Sequence, residues 1–210
     1  MPYPKGHRER VRNRILGSAR KLFNLYGFDA VSIDAVMEDA GLTRGGFYAH
    51  FRSKAQLYAE AVAFILEDAH PAHNWPGVDF DLSSDPARKI VNAYLSRQHC
   101  DDIEGSCPLV TQASSAPRGD RDAREAYRRV LAAMTAIFTQ SEEGDIDRSE
   151  RGFAVAALCV GGLALARGVG DRKLADRIRE ASRKAALELG GWDDPSPARK
   201  SERAPAVHRN

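Results

Sequence analysis

The chain has few cysteines and no long uninterrupted apolar run. Its 210 residues include only Cys100, Cys107 and Cys159. So sparse and odd a set argues against a secreted disulfide framework and for reduced thiols. No continuous stretch approaches the roughly 18 apolar residues that span a bilayer, so no membrane partner is expected. The basic start, from Pro2 to Arg8, has no apolar stretch behind it. That predicts no signal peptide and a cytoplasmic place of work. Phosphate-loop, serine-elbow and zinc-protease-helix patterns are missing, as is a glycine-rich dinucleotide fingerprint. These absences turn the reading away from an enzyme, and no cofactor is expected. His99, Cys100 and Cys107 fit no strong zinc spacing, and His70 and His73 flank a proline, so no metal site is expected. No segment alternates like a strand, and no internal repeat is found.

What is there is a helical pattern and an uneven charge. Apolar residues make up 43% of the chain and charged residues 29%, ordinary for a globular protein. The net charge is only +2, yet up to Lys54 ten basic residues face five acids. A basic head on a slightly acidic body suggests that the head meets a polyanion. Val11, Ile15, Ala19, Leu22, Phe23 and Tyr26 recur at three- and four-residue steps and predict a helix from about Glu9 to Tyr26. Gly27 suits its stop. Ser32 suits the cap of a second helix on Ile33, Val36, Met37 and Ala40, ending at Gly41. Thr43 suits the cap of a short third helix through Phe47, Tyr48 and Phe51. Ser53-Lys54-Ala55-Gln56 matches a capping box and opens a fourth helix to about Ala69.

Residues 32–51 therefore read as helix, glycine turn, helix. Ala40 is small where two helices cross. Ile33, Val36, Leu42 and Phe51 can pack with the first helix, leaving the polar edge of the third free to enter a major groove. The residues from about Glu9 to Ala69 resemble the tetracycline-repressor (TetR) family of bacterial regulators. The resemblance rests on Ala19, Leu22-Phe23, Tyr26-Gly27-Phe28, Ser32, Ile33, Val36, Ala40-Gly41-Leu42-Thr43, Gly45, Phe47-Tyr48, His50-Phe51 and Ser53-Lys54. It implies phosphate contacts from Ser32, Thr43, Tyr48 and Lys54, and base contacts near Arg44, Gly45 and Gly46, with Arg44 reaching a guanine. Phe47 is either a thymine-methyl contact or a core aromatic, and His50 a phosphate contact or a packed histidine. Ala49 and Gly46 depart from the family pattern, and the second glycine weakens the helix. Arg8, Arg10, Arg12 and Arg14 make a basic arm suited to phosphates or a minor groove.

Behind the head, His70 to Asp85 reads as a loop. Asp85-Pro86 and Cys107-Pro108 each open a helix with proline in the first turn. Asp120 to Gln140, Ser149 to Gly168 and Asp171 to Leu189 read as long helices. The expected fold is all-α: residues 1–69 as a DNA-binding three-helix head, 70–192 as a ligand-sensing and dimerisation body, and 193–210 as a disordered tail. The last two helices, rich in small residues, are the expected homodimer interface through a four-helix bundle. The expected function is a repressor released from a palindromic double-stranded operator by a small-molecule effector. Candidate pocket residues are Phe64, Trp75, Tyr94, Cys107, Tyr127, Met134 and Phe138. An alternative is a thiol sensor, since Cys107 at a helix start would have a lowered pKa.

Overall fold

The computed structural model describes residues 6–66, 78, 83–115, 121–139 and 146–192. Among them there are helices and turns and no strand. The expected disordered tail lies outside the described residues, as does most of the loop from His70 to Asp85. The first helix, α1, spans His7–Ala30 and buries Ile15, Leu16, Ala19 and Phe23 on one face. Gly27 interrupts it at φ 76° and ψ 169°, a conformation that a Cβ would strain. α2 spans Ile33–Asp39, and the Ser32 hydroxyl accepts from the Ala35 N–H at 3.0 Å. A short 3-10 helix follows at Arg44–Ala49. α3 spans Lys54–Ala63 and is extended by a 3-10 turn to Leu66. Ser53 caps α3 through the Gln56 N–H, as the sequence suggested. Gln56, however, reaches back to the N–H of Arg52 and not to that of Ser53.

The body begins with α4 at Pro86–Tyr94. Asp85 does not cap it with its side chain; it takes φ 49° instead, while Pro86 sits in the first turn as expected. Two short helices follow, α5 at Arg97–Asp101 and α6 at Pro108–Thr111. Then come α7 at Arg121–Thr139, α8 at Ile146–Gly168 and α9 at Arg172–Gly190. Asp171 caps α9 by accepting from the Leu174 N–H at 2.7 Å. One apolar cluster runs from Ile15 and Phe51 in the head through Leu57 and Val91 to Val155 and Ala186. α3 packs against α1 on one side and α7 on the other.

α8 differs from the expectation about apolar runs. Ser149–Gly168 reaches a mean hydropathy of 1.3, long and apolar enough by composition to cross a bilayer. Scattered glycines and alanines hide this from a search for unbroken runs. In the fold α8 packs against α7 and α9. Only 39% of the stretch is buried, so much of an apolar helix faces outward.

The head is tied to the body by buried polar groups. Asn24 of α1 donates to the carbonyls of Glu104 and Ser106 at 2.9 and 3.0 Å and accepts from the Thr111 hydroxyl at 2.7 Å. Gln112, just past α6, donates to the Phe23 carbonyl at 2.9 Å and accepts from the Tyr58 hydroxyl at 3.1 Å. Arg167 of α8 donates to the Asp102 and Cys100 carbonyls at 2.9 and 3.1 Å and to the Ser106 hydroxyl at 2.7 Å. Groups buried this deeply are tolerated because each has partners. Asn24→Ala leaves Thr111 and Gln112 short of an acceptor, and we expect a loss of about 1–3 kcal/mol in urea unfolding. A double-mutant cycle with Thr111→Val should return a coupling of about 0.5 kcal/mol or more; additive effects would show that the joint is not cooperative.

Candidate nucleic-acid interface

The turn between α2 and the 3-10 helix is built from local hydrogen bonds. The Gly41 N–H donates to the Glu38 carbonyl and the Leu42 N–H to the Met37 carbonyl, both at 2.8 Å. Gly41 takes φ 64°, which lets the chain reverse without a Cβ clash. The segment after it is shorter and tighter than the sequence suggested. Thr43 makes no side-chain cap bond, and the helix ends at Ala49, before Phe51. Two consecutive glycines weaken a full α-helical turn, which fits the 3-10 form.

Two aromatic side chains decide which way this segment faces. Phe47 is 0% and Phe51 1% exposed, and their rings lie 5.8 Å apart. With Phe47 sealed inward, Tyr48 stands out at 64% exposure, beside exposed Arg44, Gly45 and Ala49. Of the two sequence readings for Phe47, the structure selects the core aromatic; it does not face a groove. Val36 and Ala40 are buried beneath the same turn, and Ile33 and Leu42 pack against it.

Several cations around the segment are engaged within the chain. Arg44 Nη1 pairs with Asp34 Oδ2 at 2.7 Å, and both side chains are exposed. Such a pair contributes little in water and yields readily to a competing anion. Lys54 lies 4.4 Å above the Phe28 ring and reaches the Asp29 carbonyl at 3.4 Å. These two contacts flank exposed Ser32, whose hydroxyl also caps α2. Arg44 thus reaches the first turn of α2 and Lys54 the end of α1, with Thr43 exposed next to Arg44. The basic arm is helical from His7, and two of its four arginines are engaged with other parts of the chain. Arg8 donates to the Ala49 carbonyl at 2.8 Å, and Arg12 pairs with Glu60 and lies 4.9 Å over the Phe51 ring. Arg10 and Arg14 remain exposed. The sequence started α1 at Glu9 and so missed Arg8 and Arg12 as a four-residue step along one helix face. It also missed Asp34 as the partner of Arg44. His50 is half-buried, and among the described residues its Nδ1 finds no hydrogen-bond partner. Burial first, then Arg8 and Arg12, hold its pKa below the ordinary histidine value. That favours the packed-histidine reading over a cationic phosphate contact.

The pocket candidates behave as core. Phe64, Tyr94, Met134 and Phe138 are buried, and the Tyr127 hydroxyl donates to the Leu109 carbonyl at 3.0 Å. Trp75 lies outside the described residues. A cleft of about 290 Å³ opens between Arg97, Arg167, Arg172 and Arg179, and one of about 410 Å³ beside Arg88 and Lys89. Among the described residues, none of the candidates lines either cleft.

Cys107 does stand at the start of α6, but the expected low pKa is overturned. α6 is four residues long, and Cys107 makes no side-chain cap bond. Burial pushes its thiol up; the Leu109 backbone, the Tyr94 hydroxyl, Arg20 and Arg167 act in the opposite direction and are outweighed. Burial likewise raises Cys100, and pushes Cys159 up to about 12. A desolvated thiol holds its proton because the charged form loses more hydration than the short dipole returns.

Residues 15–61 match the family described as "Bacterial regulatory proteins, tetR family". The regulator LmrA of Bacillus subtilis is 27% identical over 163 residues, covering 73% of this chain and 85% of its own. Of two other curated relatives, one from Bacillus subtilis and one from Mycobacterium tuberculosis, the chain spans only 29% and 63% of the length. Among solved structures, reduced NemR of Escherichia coli superposes with a TM-score of 0.63 at 16% identity, covering 86% of this chain and 97% of its own. NalD of Pseudomonas aeruginosa superposes with a TM-score of 0.53 at 21% identity, covering 88% and 96%. Both show a shared all-α fold.

The thiol chemistry yields a test. At neutral pH, Cys159 should stay unlabelled by a thiol reagent in the folded protein and react on unfolding, when its pKa returns to about 8.5. Above that value the unfolded state loses a proton that the folded state keeps, so stability should fall as pH rises from about 8.5 towards 12. Fast labelling of Cys159 in the folded protein contradicts its burial.

Proposed function

Because residues 15–61 match the tetR family of bacterial regulatory proteins, we propose that this chain is a regulator of that family and a DNA-binding transcriptional repressor. It works as a homodimer on a palindromic operator and is released by a small-molecule effector. The observation that carries the reading is the outward presentation of Arg44–Ala49 on a sealed Phe47 and Phe51. Ser32, Thr43, Tyr48 and Lys54 supply hydroxyls and an ammonium for phosphates, which set register without reading sequence. Arg44 leaves Asp34 to make a bidentate contact with a guanine in the major groove. Operator DNA is the ligand, so the protein acts in the cytoplasm.

One such segment reads too few bases for useful specificity, so two copies are required. The exposed face of α8 and α9 supports this. Phe153 is 53% and Leu165 63% exposed, with Ala154, Ala157 and Ala164 exposed along the same helix. Leu174, Ala181, Ala185 and Leu189 are exposed on α9. An apolar face of this size is unstable in water and suits a second copy, packed as a four-helix bundle. The repressor reading is supported by the likeness to NalD, described as the secondary repressor of an efflux pump. An effector that prefers one spacing of the two heads shifts the population away from DNA.

The experiment is binding-site selection followed by gel shift. We expect one palindromic site, bound at least about a thousandfold more tightly than random DNA. Affinity should fall about a thousandfold between roughly 50 and 200 mM salt. Leu165→Asp should give monomers in sedimentation and lose the operator. A monomeric wild-type chain, or no preferred sequence, overturns the proposal.

A further inference from the structure

The recognition segment is nearly bare, and its own fold does not explain why. Across Arg44–Ala49 the side chains run arginine, two glycines, a sealed phenylalanine, tyrosine and alanine. Neither Gly45 nor Gly46 has a positive φ. Among the described residues, a Cβ at Gly45 would meet nothing within 4 Å. A Cβ at Gly46 would touch Met37 Cε at 3.7 Å, an ordinary van der Waals contact. Alanine therefore fits at both positions without strain. Glycine there makes the segment more costly to order, by up to about 1 kcal/mol at each site relative to alanine. Sterics within the chain leave these two glycines unaccounted for, while a close approach from outside accounts for both.

The surface they leave also says what approaches. Gly45 and Ala49 are exposed and Gly46 half-exposed, with no side-chain donor or acceptor among the three. The Gly46 N–H already donates to the Thr43 carbonyl at 3.0 Å, and the Ala49 carbonyl accepts from Arg8 at 2.8 Å. A patch with no side-chain donor or acceptor does not read a base edge as an arginine or an amide side chain does. It can seat an apolar group, and the apolar group exposed in the major groove is the 5-methyl of thymine. Phe47 is sealed below and cannot make that contact.

We propose that Gly45, Gly46 and Ala49 form a specificity-determining seat for a thymine methyl, next to the base read by Arg44. This rests on the operator-binding reading above and names a chemical feature of the half-site. The glycines trade stability of the segment for depth of approach, so stability and binding should move in opposite directions on substitution.

The test uses the full chain and the palindromic duplex recovered by selection. In Gly45→Ala and Gly46→Ala, Tm should rise by about 1–4 °C, while operator affinity falls about tenfold or more. Replacing the half-site thymines by deoxyuridine removes only the methyl groups, and should weaken wild-type binding about fivefold and the variants' binding less. Operator affinity within about twofold of wild type in both alanine variants overturns the seat. So does insensitivity of the wild type to deoxyuridine. A fall in Tm with the loss of binding would show that the glycines serve the chain's own packing, and overturns it too. Failure of the operator-binding reading is distinct: the selection would then recover no preferred duplex.

Discussion

The burial of Phe47 and Phe51 under the turn is the contact on which the interface depends. The Arg44–Ala49 segment is only six residues long and holds two glycines. By itself it would be a marginal turn of helix. Inserting Phe47 fully into the head core fixes its rotation about its own axis. Arg44, Gly45, Tyr48 and Ala49 then face water because they are what remains. Arg12 reinforces the arrangement by lying over the Phe51 ring while paired with Glu60 of α3. Arg8 adds a bond to the last carbonyl of the segment. Cations expected to serve DNA directly thus brace the proposed recognition segment.

The same head is not free to swing at no cost. Asn24 and Gln112 join α1 to the body through buried hydrogen bonds, and Arg167 extends the linkage to α8. An unpaired polar group at such depth costs more than its bond contributes, so the joint favours being fully made or fully remade. α8 also carries the exposed apolar face proposed for dimerisation. In the proposed dimer, the helix that orients each head is also the one that fixes the distance between the two.

The cysteines illustrate how burial competes with local dipoles. Sequence position put Cys107 at a helix start, where a thiolate is favoured. The helix proved to be a single turn, and desolvation outweighed what its few N–H groups supply. Cys159 is a small apolar group of the core, and Cys100 and Cys107 are half-buried against it.

Much of the fold was legible in the residues. The stripe from Val11 to Phe23, the stop at Gly27, the caps at Ser32 and Ser53, and the prolines opening α4 and α6 depend on neighbours within a few positions, whereas Tyr26, read into the same stripe, is 64% exposed. The resemblance to a known head had the same local basis, being carried by short spacings of small and aromatic residues. Tertiary structure alone decided the rest. Nothing in the local spacing of Asp34 and Arg44, of Arg12 and Glu60, or of Asn24 and Gln112 marks them as partners, for they meet only once helices have packed. Nor could spacing choose between core and groove for Phe47, or foresee the raised thiol of Cys107. Helix periodicity is written in i to i+4 neighbours, whereas burial and pairing are properties of surfaces that come together from distant parts of the chain.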